Sequence, residues 1–333
     1  MTTLQMKKRY LFVLPAVAGL IAAGAVAAGA APTGHDAVAG TYSLVVLPDQ
    51  GESAIYNFIN SAKTSIDVTM YELRDTTVTG DLVAKEKAGV KVRVILDRKQ
   101  TSVNGAAYSA LQSGGVAVTY SSSAFTYTHQ KTITVDGTQS YISTGNLDTK
   151  YYSTSRDYGV VDSDANDVKA IEAVFNADFA KTSITPGDGD DLVWSPTDSR
   201  SQLDKLINSA TGTLDVEQEE FSDPTLVGDV VAAAKRGVTV RVVAEDESGS
   251  YDSELNQVTA AGGKVTTYTS STGYYIHAKT IIVDGSKIFL GSENFSTNSL
   301  TANRELGLII GDSTVLSGVE AAFTADFTKT AGS

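Results

Sequence analysis

The chain is written twice. The segment His129-Gln130-Lys131-Thr132-Ile133-Thr134-Val135-Asp136 returns as His277-Ala278-Lys279-Thr280-Ile281-Ile282-Val283-Asp284, an offset of 277 − 129 = 148 positions. The same offset relates residues 44–48 to 192–196, 59–62 to 207–210, 89–94 to 237–242, 156–159 to 304–307 and 175–179 to 323–327, with no gap at any point. Self-similarity held over such a distance marks a duplicated domain, so one unit is expected to be built twice and related by a pseudo-twofold.

Within each copy the pattern alternates between strand and helix. In the first copy, residues 65–70 read as a buried strand, 79–88 as a helix stopped by Gly89, and 90–96 as the next strand. A helix over 103–112 closes at Gly114-Gly115 before a strand at 116–120. Strands at 131–135, 140–143 and 158–161 follow, with Asp136-Gly137 as the hairpin turn between the first two, and a helix over 166–180 ends the copy. This order predicts an α/β fold of two α-β-α sandwich halves with mixed sheets. The repeats span 42–181 and 192–329, and the Pro/Gly/Asp-rich residues 182–191 read as the linker.

Lys7-Lys8-Arg9, an apolar run to Ala31 and the small residues Ala28-Gly29-Ala30 have the layout of an export signal over residues 1–31. Cleavage near Ala30 and a secreted, extracellular or periplasmic, product are expected; an uncleaved membrane anchor is the other reading of that run. The absence of cysteine excludes disulfides, thiolate catalysis and Cys-based zinc sites. With 26 Lys plus Arg against 39 Asp plus Glu, the net charge of −13 repels polyanions and disfavours nucleic acid as a partner.

Only three histidines occur, and two of them sit in the repeated segment. Along a strand, positions i and i+2 share a face, so His129 projects with Lys131 and His277 with Lys279. Asp136 and Asp284 fall on the opposite face, at the turn, and are expected to brace their own hairpins. After each turn comes a cluster of short donors, Thr144-Gly145-Asn146 and Ser292-Glu293-Asn294, suited to anionic oxygens, with Gly291 permitting close backbone approach. A carboxylate lies 157 − 129 = 28 residues after each His, as Asp157 and Glu305. Accepting from the far ring nitrogen, it would fix the tautomer and leave the near nitrogen basic. Two such sets around one centre suit phosphodiester chemistry, one His attacking phosphorus and the other protonating the leaving oxygen. The lysines supply positive charge, so neither metal nor cofactor is called for.

This doubled H-x-K-x4-D pattern, followed each time by G/T-x-N, resembles the phospholipase D superfamily, and the resemblance runs over nearly all of residues 42–329. It implies that His129 is the nucleophile, forming a phosphohistidine, and His277 the general acid. It also implies phosphate-binding roles for Lys131, Lys279, Asn146, Asn294 and Ser292, with Thr144 standing in the first copy where the family often has serine. Asp157 and Glu305 match the carboxylates that orient each His.

The activity expected from this resemblance is that of a secreted, metal-independent phospholipase D. It would hydrolyse phospholipid headgroups to phosphatidate, or transfer the phosphatidyl group to other alcohols. A membrane or micelle surface is the expected partner, and the chain is expected to be a monomer. The alternatives are an endonuclease of the same superfamily, a cardiolipin-synthase-like transferase and a silent binding protein. Glu72 and Glu220 also match at the offset and either line the pocket or cap a loop. Phe125, Tyr127, Tyr274 and Tyr275 precede the two histidines as a candidate apolar rim.

Overall fold

The computed structural model describes residues 41–271 and 274–329, and the expected export signal lies outside them. Both copies belong to one compact unit. The first copy runs β1 (Tyr42–Leu47), α1 (Ser53–Ser61), β2 (Ser65–Met70), α2 (Thr76–Lys87), β3 (Lys91–Leu96), α3 (Thr101–Ser113), β4 (Ala117–Tyr120), β5 (Thr132–Val135), β6 (Gln139–Ser143), β7 (Ser155–Asp162) and α4 (Ala165–Phe179). The second runs β8 (Leu192–Ser195), α5 (Ser199–Asn208), β9 (Thr213–Gln218), α6 (Pro224–Lys235), β10 (Thr239–Glu245), α7 (Asp252–Ala260), β11 (Lys264–Tyr268), β12 (Tyr275–Ile276), β13 (Lys279–Val283), β14 (Lys287–Gly291), α8 (Thr297–Thr301), β15 (Glu305–Ile310) and α9 (Ser313–Thr328).

The strand orders β1-β7-β6-β5-β2-β3-β4 and β8-β15-β14-β13-β9-β10-β11 are the same order twice, so the duplicated, mixed α/β architecture is as expected. In each sheet three parallel strands joined by crossover helices continue into antiparallel hairpins. The parallel strands are buried on both faces, which is why Ile66, Val68 and Met70 beside Val92, Val94 and Leu96 read as runs and not as alternations. Strand β1 and helix α1 are additions to the elements read from the pattern. Helix α2 begins at Thr76, before the expected residue 79, because the Asp75 carboxylate accepts from the N–H groups of Thr77 and Val78. Asp223 caps α6 in the same way, and Asp164 and Asp312 cap α4 and α9. Each cap contributes about 1 kcal/mol. Gly89 and Gly237, both at φ 92°, end the α2 and α6 segments in the left-handed conformation that glycine tolerates best.

The two halves interlock through three kinds of contact. First, an apolar cluster mixes Tyr42, Ile142, Tyr158 and Val160 with Trp194, Ile276, Leu290 and Leu306. Second, β12 adds itself to the first copy's β7, pairing Tyr275 with Ser155 and Ile276 with Arg156, while Thr128 bridges Arg304 in return. Third, Arg156 donates to Asp326 on α9 at 2.5 Å and Arg304 to Asp178 on α4 at 2.9 Å. These three kinds of contact run in both directions, as in an isologous dimer fused into one chain, whereas the bond from Tyr158 OH to Glu217 has no counterpart, since Leu306 and Thr69 stand at the matching positions.

The motif aspartates brace a different element from the one expected. Asp136, at φ 56°, accepts from the backbone N–H groups of Lys63, Thr64 and Ser65, and Asp284 does the same for Thr211, Gly212 and Thr213. They therefore clamp the entry to β2 and β9, the strands adjacent to their own hairpins. Among the described residues no helix is long and apolar enough to cross a membrane.

Two measurements check these anchors. Arg304→Leu strands the Asp178 carboxylate in the core and is expected to cost about 3–5 kcal/mol in urea unfolding. The three N–H donors hold the Asp136 carboxyl down to about 2, against the burial that would raise it. A depressed carboxyl contributes stability above its unfolded value, about 4, and loses it as pH falls toward 2. Wild type should therefore exceed Asp136→Asn by about 1–2 kcal/mol at neutral pH, after allowance for solvent screening, with the gap closing below pH 4.

Candidate active site

The backbone pairing between copies delivers the two histidines to one cavity. His129 and Gln130 donate their N–H groups to the carbonyl of Arg304, and His277 donates to that of Arg156. Because Arg156 and Arg304 immediately precede the acidic residues, each His lands beside the other copy's carboxylate. His129 Nδ1 lies 2.9 Å from Glu305, and His277 Nδ1 lies 2.8 Å from Asp157. The 28-residue spacing suggests a partner within each copy; the structure exchanges the partners, because the pairing that matters runs across the pseudo-twofold.

Each carboxylate is itself held. Thr144 Oγ1 donates to Asp157 at 2.7 Å, while Ser299 and Asn303 donate to the second oxygen of Glu305 at 2.8 and 2.9 Å. Burial works to raise both acids, but the facing imidazole and the nearby lysine outweigh it and hold both below the usual carboxylate range. An ionised acceptor on Nδ1 keeps the proton there and turns Nε2 toward the cavity.

Lys131 and Lys279 are fully buried, and each ammonium folds back onto the carbonyl of its own His, at 2.6 and 2.5 Å. From there the copies differ. Lys131 sits over the ring of Tyr71 at 5.2 Å, and burial, reinforced by Lys279, pushes it down to about 7. Burial also lowers His129, with Lys131 adding to the effect and Glu305 opposing it. Lys279 instead pairs with Glu219 at 2.6 Å.

The cavity, about 250 Å³, is lined by both histidines, by Asn146 and Asn294, by Tyr71, Tyr151 and Tyr275, and by Asp157, Glu72, Glu219 and Glu220. Both asparagines have a side-chain oxygen with no hydrogen-bond partner among the described residues. Glu72 and Glu220 thus line the pocket. Of the candidate rim, Tyr275 stacks on His277 at 5.6 Å, whereas Phe125 lies under Arg304 and Tyr274 under Lys329.

Thr144 and Ser292 are set behind the site. The Thr144 hydroxyl is committed to Asp157 and to the Tyr158 N–H, and Ser292 Oγ accepts from the Leu306 N–H, so both brace the carboxylate strands instead of facing a phosphate. Gly291 likewise serves strand packing, since a Cβ there would lie 2.4 Å from the Gly307 Cα. Glu219 is the residue that pattern reading missed. Its counterpart at 219 − 148 = 71 is Tyr71, and this break beside the matched pair Glu72/Glu220 is the signal that could have found it. Among the described residues no group of three or more His, Asp or Glu is arranged to hold a metal ion.

The exchange of partners is open to a direct check. Glu305→Gln should lower the titration midpoint of His129, and Asp157→Asn should leave that midpoint in place. Ring ¹⁵N NMR reads both, and a shift of the same-copy histidine would contradict the crossing.

A family model described as "Cardiolipin synthase, PLD-like domain" matches the chain twice, at residues 55–179 and 203–327. A cardiolipin synthase of Oceanobacillus iheyensis is 25% identical over 323 residues, covering 83% of this chain and 66% of its own length. A mitochondrial cardiolipin hydrolase of Xenopus tropicalis is 33% identical over 129 residues, 38% of this chain and 60% of its own length. The chain therefore spans less than two thirds of these curated relatives. Among solved structures, phosphatidylserine synthase of Haemophilus influenzae superposes with a TM-score of 0.68 at 14% identity over 86% of both chains, a likeness of fold alone. The two family matches begin 203 − 55 = 148 residues apart, at the offset of the repeat, and together they take in most of the sequence. The chain belongs to the cardiolipin synthase, PLD-like domain family of the phospholipase D superfamily.

Proposed function

We propose that the chain is a phosphatidyl transferase of the cardiolipin synthase kind, joining a phosphatidyl group to the hydroxyl of a second lipid alcohol through a phosphohistidine. The observation that carries the chemistry is the pair of crossed His–carboxylate contacts opening on one cavity. In the first step His129 Nε2 attacks phosphorus, a P–N bond forms, and the bond to the headgroup oxygen breaks. His277 gives its proton to that oxygen. In the second step neutral His277 takes the proton of the acceptor hydroxyl, the acceptor oxygen attacks phosphorus, and the P–N bond breaks. The lowered affinity of His129 for a proton supports its role as the free-base nucleophile.

The choice of a lipid alcohol over water as acceptor is supported by the synthases among the relatives. A cavity of about 250 Å³ has room for a phosphodiester and a small headgroup, with acyl chains left at a lipid surface outside. Hydrolysis to phosphatidate, the activity favoured from the pattern alone, is the same first step with water in the second. The hydrolase among the relatives favours that reading.

Incubation with phosphatidylglycerol vesicles in EDTA should yield cardiolipin and glycerol, with phosphatidate measuring the share taken by water. Neither product, against a plasmid control that is nicked, would sink the lipid reading. His129→Ala and His277→Ala should each reduce turnover by at least about 10³-fold. With an alkyl aryl phosphodiester, whose aryl oxide leaves without an acid, His277→Ala should accumulate the alkylphosphoryl group on His129. Label on His277 in the His129→Ala chain would reverse the two roles.

A further inference from the structure

The second copy's donor groups are already engaged. Lys279 Nζ lies 2.6 Å from a Glu219 carboxylate oxygen, Tyr275 OH 2.5 Å, Asn294 Nδ2 3.2 Å and His277 Nε2 3.5 Å. These are the side chains that a phosphoryl oxygen would call on, and they converge on a protein carboxylate. In the first copy Tyr71 stands in its place, edge-on to His129 at 4.6 Å, and Lys131 forms no ion pair among the described residues. His277 thus meets two carboxylates, Asp157 on one ring nitrogen and Glu219 on the other, while His129 meets one.

We propose that Glu219 makes the halves unequal: its carboxylate fills the second copy's anion nest and lies against Nε2 of His277, reserving the transferred phosphoryl group for His129 and Lys131. Glu219 is a positioning residue, and the proposal rests on the two-histidine reaction above. A carboxylate in the nest also selects the substrate's charge. A phosphodiester carries one negative charge and can lie on the first copy's side, whereas a dianionic phosphomonoester would meet stronger repulsion from Glu219. Burial alone would raise Glu219; His277 and Lys279, with the Lys279 and Tyr275 hydrogen bonds, hold it well below the usual range, so it stays a charged acceptor. The other groups around His277 are Lys279 and Tyr275 on its own segment, Glu220 after β9, and Glu72, Tyr151 and His129 across the cavity, with Glu245 at the end of β10 accepting from the N–H of the preceding Ile276.

The test uses ring ¹⁵N NMR of the full chain, in which only three histidines need assignment. In the wild type, inorganic phosphate should shift the ring signals of His129 and leave those of His277 in place. Glu219→Gln should let phosphate shift the His277 signals as well, and should bind inorganic phosphate at least about tenfold more tightly. Glu219→Asp, which keeps the charge, should restore most of both properties. The proposal is overturned by phosphate shifting His277 as strongly as His129 in the wild type, a result that needs no variant to fold. It is equally overturned by Glu219→Gln leaving the His277 response and phosphate binding unchanged. Neither readout depends on turnover. A failed lipid assay with these results intact would therefore remove the transferase reading and leave the Glu219 assignment standing.

Discussion

Each histidine is oriented by a carboxylate from the other copy, and most of the architecture serves that exchange. For His129 to meet Glu305 and His277 to meet Asp157, the segment before each His must lie along the opposite copy's acid-bearing strand. Backbone bonds to Arg304 and Arg156 supply that alignment. The same arginines then send their side chains into the last helices, α4 and α9, at Asp178 and Asp326. One dipeptide, Arg-Asp or Arg-Glu, therefore docks the halves with its first residue and builds the site with its second. Neither half alone holds an oriented histidine. Disturbing the interface and disturbing the chemistry are physically the same event.

Fusing the two copies into one chain has a consequence that a dimer of identical subunits could not share. Every residue of a symmetric dimer must serve both roles, whereas here the copies diverge where the reaction is directional. Tyr71 faces Glu219 across the pseudo-twofold, and Gly145 corresponds to Glu293. A Cβ at Gly145 would sit 2.8 Å from Asp157, so the first copy has no room for what the second carries. In the second copy Glu293 is fully buried with both oxygens unpartnered among the described residues, and burial, with Glu305 adding to it, pushes its carboxyl well up. It packs against the β14–β15 glycines Gly291 and Gly307.

The gapless offset made the duplication legible, and period-2 and period-3.6 patterning placed the parallel strands and their crossover helices within a few residues. Boundaries slipped where a side chain and not a pattern sets them, as at Asp75, which starts α2 earlier than its apolar spacing does. The doubled His and Asn lie on the wall of one cavity, with each doubled Lys folded onto the carbonyl of its own His. Depth was not legible: alternation assigns Thr144 and Ser292 to a face, but whether a hydroxyl reaches a ligand or a neighbouring strand depends on how closely that strand approaches. The crossing was not legible either, because two carboxylates equally spaced from two histidines fit a same-copy and an exchanged pairing alike. Asp136 shows the same limit, since the N–H groups it accepts from lie some seventy positions earlier, across a sheet register that local sequence does not encode.

In the proposed reaction His277 protonates the first alcohol and deprotonates the second, so leaving group and acceptor would pass through one position in a cavity of about 250 Å³. The histidines cannot distinguish a lipid hydroxyl from water, because both present the same O–H to the same nitrogen. Discrimination therefore belongs to the wall: Glu72 and Glu220 supply acceptors for a polyol, and Tyr151 and Tyr275 supply surface that water gains nothing by covering. An acceptor that satisfies those carboxylates displaces the water that would otherwise solvate them, and the same contacts that bind it exclude its competitor. On the proposed reaction, transfer and hydrolysis by this chain would then differ by what occupies the rim, with the crossed histidines serving both.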